Sequence, residues 1–424
     1  MMTKLTKLSS ALAMAFALTA GSFYVPASLA ETAAQQQQRI QERKDRRSQV
    51  VTERTGRSLS RAIDLYNEDK AQEALQVLLE TRTSSDFDRA FVDRLIGQLY
   101  VGIDNAKAID YLQRAARPDI LSFTDQSSTL ENIGNLLIQE GHYEQAVEAY
   151  RKWMHFTGEQ RHDIYFRIAG AYLQMEQYDN AVQPIDRALA LSDEPRENYY
   201  QAKLSALYGA QRIPEATRVL EQMVTLFPDS AQWWFYLGNT YQMQEDFQKS
   251  LSALRVANLL GYLESRTHFQ MFGQTFANNE MSFKAAKTFE DKMKAGVIPE
   301  NRQILMAIAS NYQAAREYAK AAEFYGRAGQ LDNDAEAFRR QGEAYLAIQR
   351  YRNAITAFNR AIELNVDNPG RVHMSLTSAH FYLEQYPQAL AAVQQARRDS
   401  ALARQARSWE DYIREKAKQK GVNL

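Results

Sequence analysis

Along most of the chain the apolar residues recur three and four positions apart, the spacing of amphipathic helices rather than of alternating strands. Trp234, Leu237, Gly238 and Tyr241 lie at i, i+3, i+4 and i+7, one helical face with a glycine that permits close helix approach. Leu251, Leu254 and Ala257 supply a facing helix. Residues 335–368 repeat the plan with Phe338, Gly342, Tyr345, Tyr351, Ala354, Phe358 and Ala361. Phe227-Pro228 falls where a proline stops the second helix of the preceding pair. With 18 glycines and 9 prolines in 424 residues, breakers are scarce enough to favour helix over sheet throughout.

The helix pairs repeat. An aromatic residue or Ile is followed three positions later by a small residue at Tyr143/Ala146, Tyr178/Ala181, Ile213/Ala216, Phe247/Ser250, Phe283/Ala286, Tyr318/Ala321, Tyr351/Ala354 and Tyr386/Ala389. The intervals are 35, 35, 34, 36, 35, 33 and 35 residues, with alanine at seven of the eight small positions. Two weaker units precede them, Ala71 to Ala74 with Leu78 and Asn105 to Ala108 with Leu112 and Ala115. The period, the W-x-x-L-G-x-x-Y segment and the small-residue positions together resemble the tetratricopeptide repeat (TPR). That resemblance implies an all-α fold, a right-handed α-solenoid of about ten TPR-like helical hairpins. Two units depart from the pattern: Gln274 stands where glycine is usual and His380 where tyrosine is usual. Leu402, Ala406, Trp409, Ile413 and Ala417 mark one face of a last helix ending at Gly421, the expected C-terminal capping helix.

The N-terminal residues follow another pattern. Lys4 and Lys7 precede an apolar run, Ala11 to Ala20, and no acidic residue occurs before Glu31. Ser28-Leu29-Ala30 is a small-x-small sequence suited to signal peptidase, so residues 1–30 read as a secretory signal peptide cleaved after Ala30. Residues 31–57 form a basic Gln-rich linker: Gln35 to Gln38, then Arg39, Arg43, Lys44, Arg46, Arg47, Arg54 and Arg57 against only Glu42, Asp45 and Glu53. Such a segment reads as a solvated linker or frayed helix, or as peripheral contact with anionic lipid or an acidic partner through residues 39–57. The solenoid is then assigned to residues 58–403 and the cap to 404–424.

Fifty-one basic and fifty-one acidic residues balance to zero, against a nucleic-acid binder held by bulk electrostatics. Cysteine is absent, which excludes disulfides, thiolate metal sites, cysteine nucleophiles and a lipid-anchored cysteine. No phosphate-binding loop, nucleophile elbow or zinc-protease motif occurs. Of the six histidines only His373 and His380 can share a helix face, too few for a metal site. No catalytic residue, metal or cofactor is therefore expected, and the chain reads as a non-enzyme.

In the repeat family the first helix of each hairpin lines a groove through positions 2, 5, 9, 12 and 13. Carried over, position 5 runs Glu131, Phe166, Gln201, Phe235, Met271, Met306, Arg339 and Met374, and position 9 includes Asn239. At positions 5, 9, 12 and 13 only Glu131, Arg339 and Glu343 are charged, where a 24% charged fraction predicts about eight of thirty-two. The lysine and asparagine clamp with which some relatives hold chaperone C-termini is missing. An uncharged groove with apolar anchors suits an extended or helical peptide segment. The candidate partner-binding residues are Phe166, Trp233, Phe235, Asn239, Met271, Met306 and Met374, concentrated in residues 162–314. Trp234 takes the repeat's packing position and is expected to be buried, Phe235 to face the groove. The alternative is that this face packs against the protein itself.

Several stretches beyond the repeat consensus carry a closer resemblance: Ser85-Asp86-Phe87-Asp88-Arg89-Ala90, Trp153-Met154 with Phe156-Thr157-Gly158, Gln232-Trp233-Trp234, and Arg407-Ser408-Trp409 with Tyr412-Ile413. They look like the periplasmic TPR proteins encoded beside a second TonB/ExbB/ExbD system in gammaproteobacteria. That resemblance implies a periplasmic interaction scaffold, an accessory of TonB-dependent energy transduction and outer-membrane uptake. The implied partner is a protein, a peptide segment or helix of an envelope protein such as a TonB-system component. The competing reading is a scaffold for envelope assembly: polysaccharide export, outer-membrane protein insertion or peptidoglycan synthesis.

Overall fold

A computed structural model describes residues 33–47 and 49–424. The expected signal peptide and the expected cleavage point after Ala30 lie outside the described residues. Among these, regular structure is entirely helical, with 22 helices in two compact units that meet in sequence at Gln160 and Arg161. The first unit holds α1 (Ala33–Lys44) and three hairpins: α2 (Glu53–Asn67) with α3 (Ala71–Leu79), α4 (Asp86–Tyr100) with α5 (Asn105–Ala116), and α6 (Phe123–Gln139) with α7 (Tyr143–Thr157). The second holds seven hairpins and a terminal helix. Its first four hairpins are α8 (His162–Gln174) with α9 (Tyr178–Leu191), α10 (Glu197–Gly209) with α11 (Ile213–Leu226), α12 (Ala231–Met243) with α13 (Phe247–Leu259), and α14 (Arg266–Asn278) with α15 (Ser282–Lys294). There follow α16 (Arg302–Ala314) with α17 (Tyr318–Asp332), α18 (Ala335–Ala347) with α19 (Tyr351–Glu363), α20 (Pro369–Tyr382) with α21 (Tyr386–Ala396), and α22 (Ala403–Gln419). The ten hairpins are the ten expected repeats.

The small residues that give the sequence its period are contact points between helices. Ala146, Ala181, Ala216, Ser250, Ala321, Ala354 and Ala389 are all fully buried near the start of their second helices. A methyl group on Gly238 would lie 2.6 Å from Leu254 Cγ, so the two helices of that hairpin close only over glycine. The same test corrects the register of α14. A methyl on Gly273 would lie 2.6 Å from Phe289 Cζ, while Gln274 is exposed and donates to Asn278 at 2.9 Å. Gly273, not Gln274, fills the glycine position, and this repeat carries no departure there. Gly273→Ala is expected to cost about 1–3 kcal/mol through overpacking. Gln274→Ala should stay within about 0.5 kcal/mol, as exposed positions usually do. Urea unfolding of both variants checks the register, and the reverse order would restore the sequence alignment.

Each hairpin of the second unit turns through one residue in the left-handed region: Glu176, Gln211, Glu245, Glu280, Arg316, Gln349 and Glu384, with φ from +56° to +62°. None is glycine, although glycine is the usual choice there.

The basic segment is ordered rather than free. Of residues 31–57, expected as a solvated linker or frayed helix, the described ones contain α1 and already the start of α2 at Glu53. The Arg43 guanidinium lies 4.8 Å from the Phe156 ring centroid and donates to the carbonyls of His155 and Phe156. Arg43 and Arg46 pair with Asp119 at 3.4 and 3.1 Å, and Arg46 also donates to the Leu121 carbonyl at 3.0 Å. Ile40 sits against Gly158, where an added methyl would meet Ile40 Cδ1 at 2.5 Å. Charge-assisted bonds and one apolar contact hold the arm on its own unit.

Candidate functional site

In the second unit the first helices of successive hairpins are neighbours, with α8 against α10 and α18 against α20. Each interior first helix is therefore hemmed in on three sides: by its own second helix, by the preceding hairpin and by the following one. Helix α12 shows the consequence. Trp233, 5% exposed, packs with Leu237 and Tyr241 among the α10 and α11 side chains, and its Nε1 donates to Glu197 at 2.7 Å. Phe235, 8% exposed, packs the other way, its ring 4.5 Å from His268 and 5.7 Å from Tyr262.

This corrects the placement of the aromatic run. Trp233 and Phe235 are core residues, not groove anchors. Trp234, expected to be buried, is half-exposed and donates to the Pro228 carbonyl at 3.3 Å. The physical reason is the following hairpin. Position 5 is open on an isolated hairpin, but the first helix of the next repeat covers it. Phe166 repeats the pattern, half-buried and stacked on Tyr199 with ring centroids 4.2 Å apart. Met306 is half-buried against the large aromatic core that contains Phe235, and Met374 is half-buried against the terminal core.

The face left open is narrower. At about 100° per residue, Gln232, Tyr236, Asn239 and Met243 share the arc of α12 opposite α13. Tyr236 is 41% and Met243 57% exposed, with Gln232 and Asn239 half-buried. The same four positions, counted from each helix start, are Asn198, Ala202, Ser205 and Gly209 on α10 and Thr267, Met271, Gln274 and Asn278 on α14. On α16 they are Gln303, Ala307, Ser310 and Ala314. All four helices present this strip without one charged residue. Asn239 and Met271 lie on it, and the other five sequence candidates do not. Tyr236 was missed, and Met243, although at groove position 13, was not singled out. The signal that finds them is the helical offset from Gly238, two residues before it and five after.

Charge returns at both ends of the strip. Asp163 on α8 pairs with Arg161 at 2.5 Å. On α18 Arg339 bridges Glu336, at 2.5 Å, and Glu343, while Arg340 reaches Glu336 at 2.9 Å. The Arg339 hydrogen bond holds the Glu336 carboxyl at about 2, with burial pushing the other way. A carboxyl lowered on folding stabilises above its unfolded value, here 4.5, and loses that contribution as the pH falls toward 2. The side chain is 38% exposed, so solvent screening leaves an expected contribution of about 1 kcal/mol. Glu336→Gln should thus be less stable than the parent by about that amount at pH 6 and nearly equal to it at pH 2.5. Urea midpoints at the two pH values check this, and an unchanged gap would rule out the pairing.

Among the described residues no group of three or more His, Asp or Glu is placed to hold a metal ion, and no helix is long and apolar enough to cross a membrane.

Residues 202–258 and 294–369 match one tetratricopeptide repeat family model, and residues 127–152 and 162–195 match a second. A TPR repeat-containing protein of Methanocaldococcus jannaschii is 23% identical over 290 residues, 55% of this chain and 50% of its own, so the chain spans about half the length of this curated relative. Among solved structures, the Naa15/Naa10 complex bound to HypK-THB covers 86% of this chain and 67% of its own at 13% identity and a TM-score of 0.47. YrrB, described as a TPR protein with an unusual peptide-binding site, is 19% identical with a TM-score of 0.35, covering 46% of this chain and all of its own. MamA from Desulfovibrio magneticus RS-1 is also 19% identical, with a TM-score of 0.33 over 42% of this chain and 97% of its own.

Proposed function

We propose that this chain, whose helical hairpins are tetratricopeptide repeats, is a non-catalytic periplasmic scaffold that holds an uncharged segment of a protein partner on the strip running from α10 to α16. One observation carries the reading: four neighbouring helices share an open strip with no charge, and its large exposed side chains are Tyr236 and Met243, with Met271 half-buried beside them. Neutral amides and hydroxyls on this strip can bond a peptide backbone, while tyrosine and methionine offer adaptable apolar anchors. The charged pairs at Asp163 and around Arg339 mark where a neutral segment would end.

The periplasmic location rests on the signal-like residues 1–30, with the mature chain starting at Glu31. The finer role, an accessory of TonB-linked uptake, rests on the sequence resemblance at Ser85–Ala90, Trp153–Gly158 and Arg407–Ile413; scaffolding of envelope assembly is the second reading. Affinity purification from intact envelopes tests both parts. The tagged protein should retain a partner that Tyr236→Ala/Met243→Ala releases, and mass spectrometry should find Glu31 at its N-terminus. Recovery of a TonB-system component supports the first reading and of an assembly factor the second; a partner held equally by the double variant overturns the strip.

A further inference from the structure

A second feature of the same unit lies away from this strip. Helices α13 and α15, the second helices of successive hairpins, flank a cleft of about 470 Å³ with α14 as its floor. The floor is aromatic: Phe269, Phe272 and Phe276 close it, each nearly buried. At its edges stand Leu259, 82% exposed, and Phe283, 45% exposed, two large apolar side chains that water surrounds. The rim is basic. Arg255 faces the cleft from α13, and Lys284, Lys287 and Lys292 from α15, against the single carboxylate of Asp291.

That carboxylate is already engaged, since Lys287 pairs with Asp291 at 2.7 Å. Lys292 Nζ sits 3.8 Å from the Phe269 ring centroid, a cation–π contact at the floor. Arg255 and Lys284 are exposed and have no hydrogen bond or ion pair among the described residues. Three positive charges thus exceed the negative ones around an apolar gap, on a chain whose overall charge is zero. The excess is local.

We infer that this cleft is a second docking site, for an acidic amphipathic peptide segment of a protein partner. A leucine or phenylalanine of that segment enters between Leu259 and Phe283 onto the phenylalanine floor, and flanking aspartate or glutamate carboxylates meet Arg255 and Lys284. A recessed gap of this volume takes individual side chains, whereas a membrane surface would need its cations on one open plane. The site stands independently of the neutral strip, because it lies between second helices and selects the opposite chemistry.

The test pans a random sixteen-residue peptide library against the full chain, with Arg255→Glu/Lys284→Glu as counter-selection. Both substitutions are at exposed positions, and circular dichroism should show unchanged helix content. Enriched peptides should place Asp or Glu around Leu, Phe or Trp. A synthetic representative should bind at least tenfold more weakly to the double variant, lose affinity as salt rises, and bind Tyr236→Ala as well as the parent. Vesicles of phosphatidylglycerol and phosphatidylethanolamine form the second arm. The proposal is overturned if no peptides are enriched, if the enriched ones are neutral or basic, if the double variant binds them equally, or if the vesicles alone distinguish parent from variant.

Discussion

Phe235→Ala is expected to lower stability by about 3–5 kcal/mol, because it removes a ring packed between two repeats and leaves a cavity that rigid helices fill poorly. The ring contacts His268 and Tyr262 across the repeat boundary, so the loss falls on the coupling between neighbouring hairpins. Tyr236, one residue on, points outward and should behave oppositely. Tyr236→Ala should change stability by less than about 1 kcal/mol and weaken partner binding by about 1–3 kcal/mol. Thermal unfolding alongside binding of both variants separates the roles. Normal stability in Phe235→Ala would place that ring on the surface.

Deleting residues 404–424 should have an effect of similar size. In α22, Ala406, Ile413 and Ala417 are fully buried against Tyr386, Val393 and Ala396 of α21, and Trp409 meets Phe381 edge-on at 5.5 Å. The helix is also pinned from outside by Arg397 on Glu410 at 3.0 Å and Lys420 on Glu384 at 2.7 Å. Without it the last hairpin exposes an apolar face, and self-association is the expected result. Size-exclusion chromatography with light scattering reads this directly. A truncated chain that stays monomeric, with an unchanged melting curve, would show that α22 is not a cap.

The fold was legible because its signals are local. The aromatic-x-x-small spacing and the Gly238 and Gly342 positions report contacts within one hairpin, and one hairpin fits within a single repeat of sequence. What was not legible depends on neighbours. Phe235 is covered by His268, a full repeat away, and no property of α12 alone announces that. Arg43 and Arg46 read as free charges because their partner, Asp119, lies more than seventy residues on. The α14 register slipped for another reason: the turns within the hairpins, at Glu245 and Glu280, carry no glycine to fix the start of the second helix, and Phe283 stands one residue after the start of α15 at Ser282, so a one-residue shift left no trace in composition. The neutral strip itself was largely visible, since the scarcity of charge was read correctly and positions 2, 9 and 13 of the family rule fall on it, while position 5 lies one residue short of the exposed position 6.

The most direct test is a photo-crosslinking amino acid at Asn239, on the strip, and at Asn353, on the exposed side of α19 and away from both proposed sites, in cells producing the protein. A protein adduct at position 239 that disappears with Tyr236→Ala/Met243→Ala, and is absent at position 353, is the expected result. Adducts at position 353 alone, or an adduct at 239 indifferent to both substitutions, would contradict a partner held on the strip from α10 to α16.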